Sequence, residues 1–364
     1  MWRYRAILPV RPGVNVVSMG EGWTPLVSAR GFEPGRVYLK NEAVNPTGSH
    51  KDRALSIGIT KALEFGKGPV ILYSDGSTAL SSAAYAARGG LTNIALVPGG
   101  TPRYRSIPLA VYGCVLLEYH GPSAEALDWV HAACRKLGVC ETSNYRQANP
   151  YESEGAKTIG YEIFEQMSGV PSWVVVPTGG GGTLAGIWRA FEELHAWGFI
   201  AELPHMAAVL PAGYTMLEQA LTRGLATDAE LRALAPAALP ETIQAKTAMG
   251  YPPDGLEAMA AIRKSGGMIL YASDQEVLTA QRKLGGREGI YAEPSGAAAW
   301  VGVEKLVELG RAKSDSIVAV ITGSGFRETG TVEELVDVPT VPIFPGTGLA
   351  TLGKLLSELR TTNT

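Results

Sequence analysis

Lys51 is the residue whose position most clearly suggests chemistry. It stands in a turn-forming run, residues 45–53 (NPTGSHKDR), and begins a predicted helix that Gly66 can end. A lysine in a first helical turn lies near the positive end of the helix dipole, and Arg53 adds a positive charge nearby. Both effects lower the pKa of an ammonium group, and such an amine can form a Schiff base with an aldehyde. A solvated lysine at a helix start is the alternative.

A run of glycines is the second chemical feature, because it follows an apolar strand at residues 173–177 and precedes a predicted helix. Glycines let the backbone curl so that several N–H groups point inward, and the helix start adds positive potential. The spacing matches neither a nucleoside-triphosphate loop nor a dinucleotide loop. A cradle for a terminal phosphate monoester is therefore predicted, with a tight turn as the alternative. The residues concerned are Gly179, Gly180, Gly181, Gly182 and Thr183.

Two more predicted strands end in hydroxyl groups. The loop after the strand at residues 69–73 can bind a carboxylate through its hydroxyl and N–H groups, or cap the helix that follows. Thr322 and Ser324 follow the last predicted strand, where a hydroxyl could meet a ring nitrogen, with an ordinary turn as the alternative. The first loop comprises Ser74, Asp75, Gly76, Ser77 and Thr78.

The elements that position these loops alternate regularly. Short apolar runs and helical segments follow one another along most of the chain, which is typical of parallel sheets covered by helices on both faces. Two such series, separated near residues 143–151, predict an α/β protein of two domains, whereas residues 225–256 predict no clear element. Open α/β sheets bind ligands at the carboxyl ends of their strands, so the loops above are expected to converge.

The composition narrows the classes of partner. The 364 residues carry a net charge of −3 without a basic stripe, so nucleic acid is not an expected partner. No apolar run reaches membrane-spanning length, and Pro9 and Pro12 interrupt the run near the N-terminus, so neither a membrane segment nor a signal peptide is expected. The three cysteines are odd in number and lack metal-ligand spacing, which predicts reduced thiols, a cytoplasmic location and no metal site.

The four chemical features complement one another if the cofactor is pyridoxal 5′-phosphate. Lys51 would take the cofactor aldehyde, the glycine cradle its phosphate, and a hydroxyl after the last strand its ring nitrogen. The loop after residues 69–73 would then bind the carboxylate of a small amino-acid substrate.

The same segments carry a family resemblance. The chain resembles the β-family (fold type II) of pyridoxal-phosphate enzymes, whose fold is that of the tryptophan synthase β chain, and within it the threonine synthases. The resemblance covers nearly the whole chain in the family's order. The matching segments are residues 21–26, 45–53, 83–88, 149–150 with 154–155 and 157–158, 179–182, 293–299 and 322–325.

The resemblance implies a role for each site residue. Lys51 would form the Schiff base and move the Cα proton, and the glycine loop with Thr183 would bind the cofactor phosphate. Thr322, or else Ser324, would face the pyridine nitrogen, and Glu293 would also lie at the cofactor. The loop of residues 74–78 would bind the substrate carboxylate.

The resemblance also implies an architecture and an activity. A large cofactor-binding domain (residues 1–53 and 146–364) and a small mobile substrate domain (residues 54–145), each with a mostly parallel twisted sheet, would form a homodimer. The expected enzyme is a lyase acting on an amino acid with a β or γ leaving group, most like threonine synthase, which converts O-phosphohomoserine to threonine and phosphate. The alternatives are β-elimination or β-replacement, as in serine/threonine dehydratases or cysteate and diaminopropionate synthases, and a cofactor-binding protein without turnover.

Three departures from the family pattern bear on that expectation. Ser77 replaces an asparagine that binds the cofactor's 3′-oxygen, and His50 replaces a phenylalanine, either as a catalytic addition or as an aromatic substitute. Residues 247–252 replace an arginine-containing stretch, although a second phosphate, that of O-phosphohomoserine, calls for a cationic group. The remaining candidates for it are Arg103, Arg105, Arg146 and Lys246.

Overall fold

The computed structural model describes residues 1–236, 238–311 and 316–333, together with 335, 336, 338, 340 and 349–354. Residues 1–329 and 330–364 form two separate compact units. All the sites expected from the sequence fall in the first unit, and residues 349–354 of the second are helical. The last part of the predicted large domain, residues 355–364, lies outside the described residues.

The first unit contains two sheets built from short strands separated by helices. The strands are β1 (Leu26–Ser28), β2 (Val37–Asn41), β3 (Val70–Tyr73), β4 (Asn93–Pro98), β5 (Val115–Tyr119), β6 (Cys140–Glu141), β7 (Trp173–Pro177), β8 (His205–Pro211), β9 (Met268–Ala272) and β10 (Ile317–Ile321). The helices are α1 (Lys51–Glu64), α2 (Ser77–Gly89), α3 (Arg103–Val111), α4 (Ser123–Leu137), α5 (Lys157–Met167), α6 (Gly182–Ala196), α7 (Met216–Arg223), α8 (Asp228–Ala233), α9 (Gly255–Lys264), α10 (Asp274–Lys283), α11 (Pro294–Glu308) and α12 (Thr329–Val332).

Both sheets are mostly parallel, which confirms the predicted α/β class. The larger one has the strand order β1-β2-β10-β7-β8-β9, and among its described strands only β1 runs antiparallel to its neighbour. The smaller one has the order β5-β4-β3-β6 and is parallel throughout its described strands. The strands of the smaller sheet all fall within residues 54–145, whereas those of the larger fall outside that range. The division into a large domain and a mobile small domain stays a prediction.

Helices cover both faces of the larger sheet. Val175 packs in a cluster with Trp300 of α11, whereas its neighbour Val174 packs on the other face with Phe191 of α6. Every residue of β7 and β10 is buried, which explains why these strands are apolar throughout rather than alternating. Among the described residues, no helix has the length and apolarity needed to cross a bilayer.

A buried group of charged side chains anchors α1, the helix that begins at Lys51. The Arg53 guanidinium binds the carboxylates of Glu42 and Glu162 at 2.6–2.8 Å, and the Lys40 ammonium binds Glu162 at 2.7 Å. All four side chains are fully buried, so the charges compensate one another away from the solvent-accessible surface. The carbonyl oxygen of Thr24 accepts from Lys40 at 2.8 Å, which ties the N-terminal segment to the same group.

Candidate active site

Lys51 is the first residue of α1 and is partly buried. Burial lowers the pKa of its ammonium group, and the carboxyls of Asp254, Glu152 and Glu293 only partly oppose that shift. The predicted direction is therefore confirmed, but the predicted contribution of Arg53 is wrong. The guanidinium of Arg53 points into the buried charged group, where two carboxylates balance it. An amine with a lowered pKa at this position can act as a nucleophile and a base.

His50 precedes Lys51 and joins two distant loops. Its Nδ1 atom lies 3.0 Å from the carbonyl oxygen of Thr322, and its Nε2 atom lies 3.0 Å from Oγ1 of Thr183. Burial and the neighbouring Lys51 lower the pKa of the imidazole to about 3. The ring is therefore neutral at physiological pH, and both of its nitrogens are engaged.

The glycine loop leads from β7 into α6 and is held tightly from one side. Gly181 has φ of +92°, a value that favours glycine, and a Cβ there would lie 2.6 Å from the carbonyl oxygen of Asp254. A Cβ on Gly179 would lie 2.8 Å from Cα of Thr247. The Asp254 N–H donates to the Gly180 carbonyl oxygen at 2.8 Å. The segment before α9 thus fixes the curled backbone at the start of α6, where a phosphate cradle is expected.

The loop of residues 74–78 leads from β3 into α2, just as the glycine loop leads from a strand of the larger sheet into a helix. Ser77 is the first residue of α2, and its buried Oγ atom has no hydrogen-bond partner among the described residues. The Gly76 N–H donates to Ser74 Oγ at 3.2 Å, and Thr78 follows, partly buried, in the first turn of α2. An unpartnered buried hydroxyl is costly, so Ser77 is suited to meet a bound polar group.

Two cations and two carboxylates surround this loop. Lys246 Nζ lies 2.9 Å from the position that a Cβ would take on Gly76, and it binds Glu328 at 2.7 Å. Arg105 binds Glu328 at 2.9 Å and Asp75 at 2.8 Å. Burial alone would raise the pKa of the Glu328 carboxyl, but Lys246 and Arg105 lower it below its ordinary value. Of the four cationic candidates, the structure therefore brings Lys246 and Arg105 to the loop of residues 74–78.

The other two candidates lie elsewhere. Arg146 binds Glu257 at 3.3 Å on the surface, although its backbone N–H donates to Asp254 at 2.9 Å. Arg103 is exposed at the start of α3.

The end of β10 supplies the remaining expected residues. Glu293 caps the start of α11; its N–H donates to the Gly323 carbonyl oxygen at 2.9 Å, and its Oε2 is buried without a partner among the described residues. Thr322 Oγ1 lies 3.3 Å from the position of a Cβ on Gly296. Ser324 Oγ accepts from the Phe326 N–H at 3.3 Å, so this hydroxyl is already used in a turn. Burial also raises the pKa of the Glu293 carboxyl.

These contacts test whether the site suits pyridoxal phosphate. The His50 bonds bring the lysine loop, the glycine loop and the end of β10 together. The Lys246 N–H donates to Ser295 Oγ of α11 at 3.1 Å, and the Lys246 side chain reaches the loop of residues 74–78. Ser77 and Glu293 offer buried polar atoms without partners among the described residues. An aldehyde-reactive amine, a glycine cradle and unpartnered polar atoms fit this cofactor. Among the described residues, no cluster of His, Cys, Asp and Glu could hold a metal ion.

Comparison with known proteins decides the family. The family model described as "Pyridoxal-phosphate dependent enzyme" matches residues 17–323. The chain belongs to this family. It is 35% identical to a threonine synthase of Methanocaldococcus jannaschii over 90% of this chain and 80% of that one. It is 34% identical to a threonine synthase of Methanosarcina acetivorans (94% and 83%) and 32% identical to one of Mycobacterium tuberculosis (97% and 94%).

Several solved structures share the fold. An O-ureido-L-serine synthase superposes with a TM-score of 0.70 at 21% identity, covering 89% of this chain and 97% of that one. Maize serine racemase gives 0.69 at 17% identity, covering 93% of each chain. The threonine deaminase isoform 2 of Solanum lycopersicum gives 0.68 at 21% identity, covering 83% and 84%.

Sequence reasoning missed three carboxyls of this pyridoxal-phosphate enzyme. Asp254 supports the glycine loop, Glu328 binds the two cations, and Glu152 lies fully buried against Gly58 of α1. Burial raises the pKa of the Asp254 and Glu152 carboxyls above their ordinary values. No local pattern signals them, because each reaches the site through contacts between segments distant in sequence.

Proposed function

We propose that this pyridoxal-phosphate enzyme converts O-phosphohomoserine and water to threonine and phosphate. The observation that carries the proposal is the similarity to threonine synthases over 90–97% of the chain. The position of Lys246 and Arg105 beside the loop of residues 74–78 supports it, because a substrate phosphate requires cations near the substrate carboxylate.

The site residues have distinct tasks in this reaction. Pyridoxal phosphate, when bound, supplies an aldehyde carbon and a ring that withdraws electrons from the substrate Cα. The amine of Lys51 would hold the aldehyde carbon and, once displaced by the substrate amine, would accept the Cα proton; burial lowers its pKa, which favours the unprotonated form that this task needs. The N–H groups at the start of α6 would bind the cofactor phosphate, and Thr322 would face the ring nitrogen.

The substrate phosphate would be held beside the same loop that binds the substrate carboxylate. Lys246 and Arg105 would bind the phosphate that leaves, after displacing Glu328 from one or both of them. The buried carboxylate of Glu328 holds both cations beside the loop, and Arg105 also pairs with Asp75. The backbone N–H groups of residues 74–78 and the hydroxyls of Ser74 and Ser77 would bind the substrate carboxylate.

Product analysis of the purified holoenzyme tests this proposal. We expect threonine and phosphate from O-phosphohomoserine, and no comparable turnover of serine, threonine, O-phosphoserine or O-acetylserine. Replacing Lys51 by Ala should abolish both turnover and the absorbance of the lysine-bound cofactor, whereas Lys264→Ala, at an exposed lysine, should change neither. Turnover of the other amino acids without threonine formation would contradict the proposal.

A second candidate is a β-eliminating or β-replacing enzyme. It is favoured by residues 247–252, which lack an arginine, and by the pairing of Lys246 and Arg105 with Glu328. Such an enzyme would release ammonia or a new amino acid from serine or O-acetylserine in the same assay. A protein that binds cofactor and amino acids without forming any product would correspond to the third alternative, which Ser77 in place of asparagine favours.

We also propose that the enzyme is a cytoplasmic homodimer with a mobile domain at residues 54–145. Cys114, Cys134 and Cys140 are all free thiols, which suits a reducing compartment. A contiguous row of side chains that includes three exposed aromatic rings supports a second copy as partner. The row comprises Trp23, Arg3, Tyr4, Tyr161, Trp197 and Phe199. Sedimentation of the wild type and of Trp197→Glu should show a dimer and a weakened dimer.

A further inference from the structure

His50 has a hydrogen-bond pattern that fixes where its proton lies. A carbonyl oxygen can only accept, so the contact of Nδ1 with the Thr322 oxygen places the ring proton on Nδ1. The neutral ring then presents a lone pair at Nε2, and the hydroxyl of Thr183 must be the donor in the 3.0 Å contact there. The charged groups that act on the imidazole are Lys51, Glu42 and Arg53, and none of them accepts its proton.

The two hydrogen bonds of the His50 ring connect the segments that follow two neighbouring strands. Thr183 is the second residue of α6, directly after the glycine loop that leaves β7, and Thr322 directly follows β10. β7 and β10 are neighbours, but their pairing ends at Val175 and Ala319. Beyond that point the two strands separate, and the imidazole of His50 spans the gap between the chains that follow them.

We propose that His50 is a positioning residue for cofactor binding, which holds Thr183 and the phosphate loop at a set distance from Thr322. The inference rests on the cofactor of the proposed function and not on its substrate. The carbonyl oxygen of Thr322 also accepts from the His50 backbone N–H at 3.1 Å, so replacing the ring leaves no buried carbonyl unpaired. Replacing His50 should therefore change only the distance between the phosphate loop and Thr322 and the hydrogen bonding of the Thr183 hydroxyl.

Equilibrium titration of the apoenzyme with pyridoxal phosphate tests the proposal. His50→Phe keeps an aromatic ring but loses the contacts of the imidazole with Thr322, Thr183 and Ser49, and we expect about tenfold weaker binding. His50→Gln should recover most of the affinity, because its amide oxygen can accept from Thr183. His195→Phe, at an exposed histidine in the last turn of the same helix α6, is the matched control and should bind like the wild type.

Further measurements separate this role from alternatives. In a Thr183→Val background, His50→Phe should have little additional effect, because the two residues act through one bond. Equal affinity of wild type and His50→Phe would overturn the proposal. So would a step near pH 6–7 in kcat that His50→Phe removes, since that would make His50 a titrating catalyst. The affinity is measured without substrate, so failure to turn over O-phosphohomoserine would leave this test intact. If His50→Phe does not fold, Thr183→Val alone must show the weaker binding.

Discussion

Replacing Arg53 by Met should destabilise the protein far more than a surface ion pair does. The guanidinium makes four hydrogen bonds of 2.6–2.8 Å to Glu42 and Glu162, and all three side chains are fully buried. Without it, two carboxylates face the single ammonium group of Lys40, which leaves one buried negative charge unbalanced. Breaking a buried pair in this way costs about 3–5 kcal/mol.

This free energy can be converted to a melting temperature. An unfolding entropy of about 2.1 cal/mol/K per residue over residues 1–329 predicts a decrease in Tm of about 4–7 °C. Glu192→Gln is the matched control, because Glu192 pairs at 2.8 Å with a largely exposed Lys264. Such exposed pairs contribute about 0–1 kcal/mol, so the control should melt within about 1.5 °C of the wild type. Thermal unfolding followed by circular dichroism measures both.

The effect of Arg53→Met on Tm should depend on pH in a definite direction. Burial opposes ionisation of Glu162, but Arg53 and Lys40 lower its pKa from 4.5 to about 2. A lowered carboxyl pKa adds stability that is fully present above pH 4.5 and is lost as the pH falls towards 2. The difference in Tm between wild type and Arg53→Met should therefore be largest near neutral pH and should narrow in acid. Equal Tm loss in Arg53→Met and Glu192→Gln would refute the reasoning.

Three further predictions concern the site itself. Gly181→Ala should weaken pyridoxal-phosphate binding at least tenfold in a titration, because φ is +92° and the new Cβ would meet a carbonyl oxygen at 2.6 Å; Gly198→Ala, also at positive φ but in open space, should bind normally. Glu328→Gln should lower the KM for O-phosphohomoserine several-fold by removing the carboxylate that binds Lys246, and leave the dissociation constant of serine unchanged; an equal change for both amino acids would count against it. Because burial lowers the pKa of Lys51, the rate of cofactor capture by apoenzyme in stopped-flow should level off below pH 10.5, and a rate still rising above that pH would disagree.

Local sequence patterns were sufficient to predict many of the helices and strands, and to identify Lys51 as the first residue of α1. Apolar runs and glycines predicted β7, α6 and β10 because strand burial and helix starts depend on neighbouring residues. Lys51 and the glycine loop could be identified for the same reason, since each is a turn followed directly by a helix. In residues 225–256, prolines and alanines mask the helical periodicity of apolar residues, so α8 and the start of α9 could not be predicted.

Tertiary structure alone decided the environment of these residues. The pKa of Lys51 is lowered chiefly by burial. The guanidinium of Arg53, two residues away, instead pairs with Glu162, which lies more than a hundred residues further along the chain. His50 reaches Thr322 only because β2, which leads into the lysine loop, pairs with β10. The sequence by itself determined which groups can do chemistry, because side-chain type is local. Their protonation and their partners depend on burial and on long-range pairing, which no local pattern specifies.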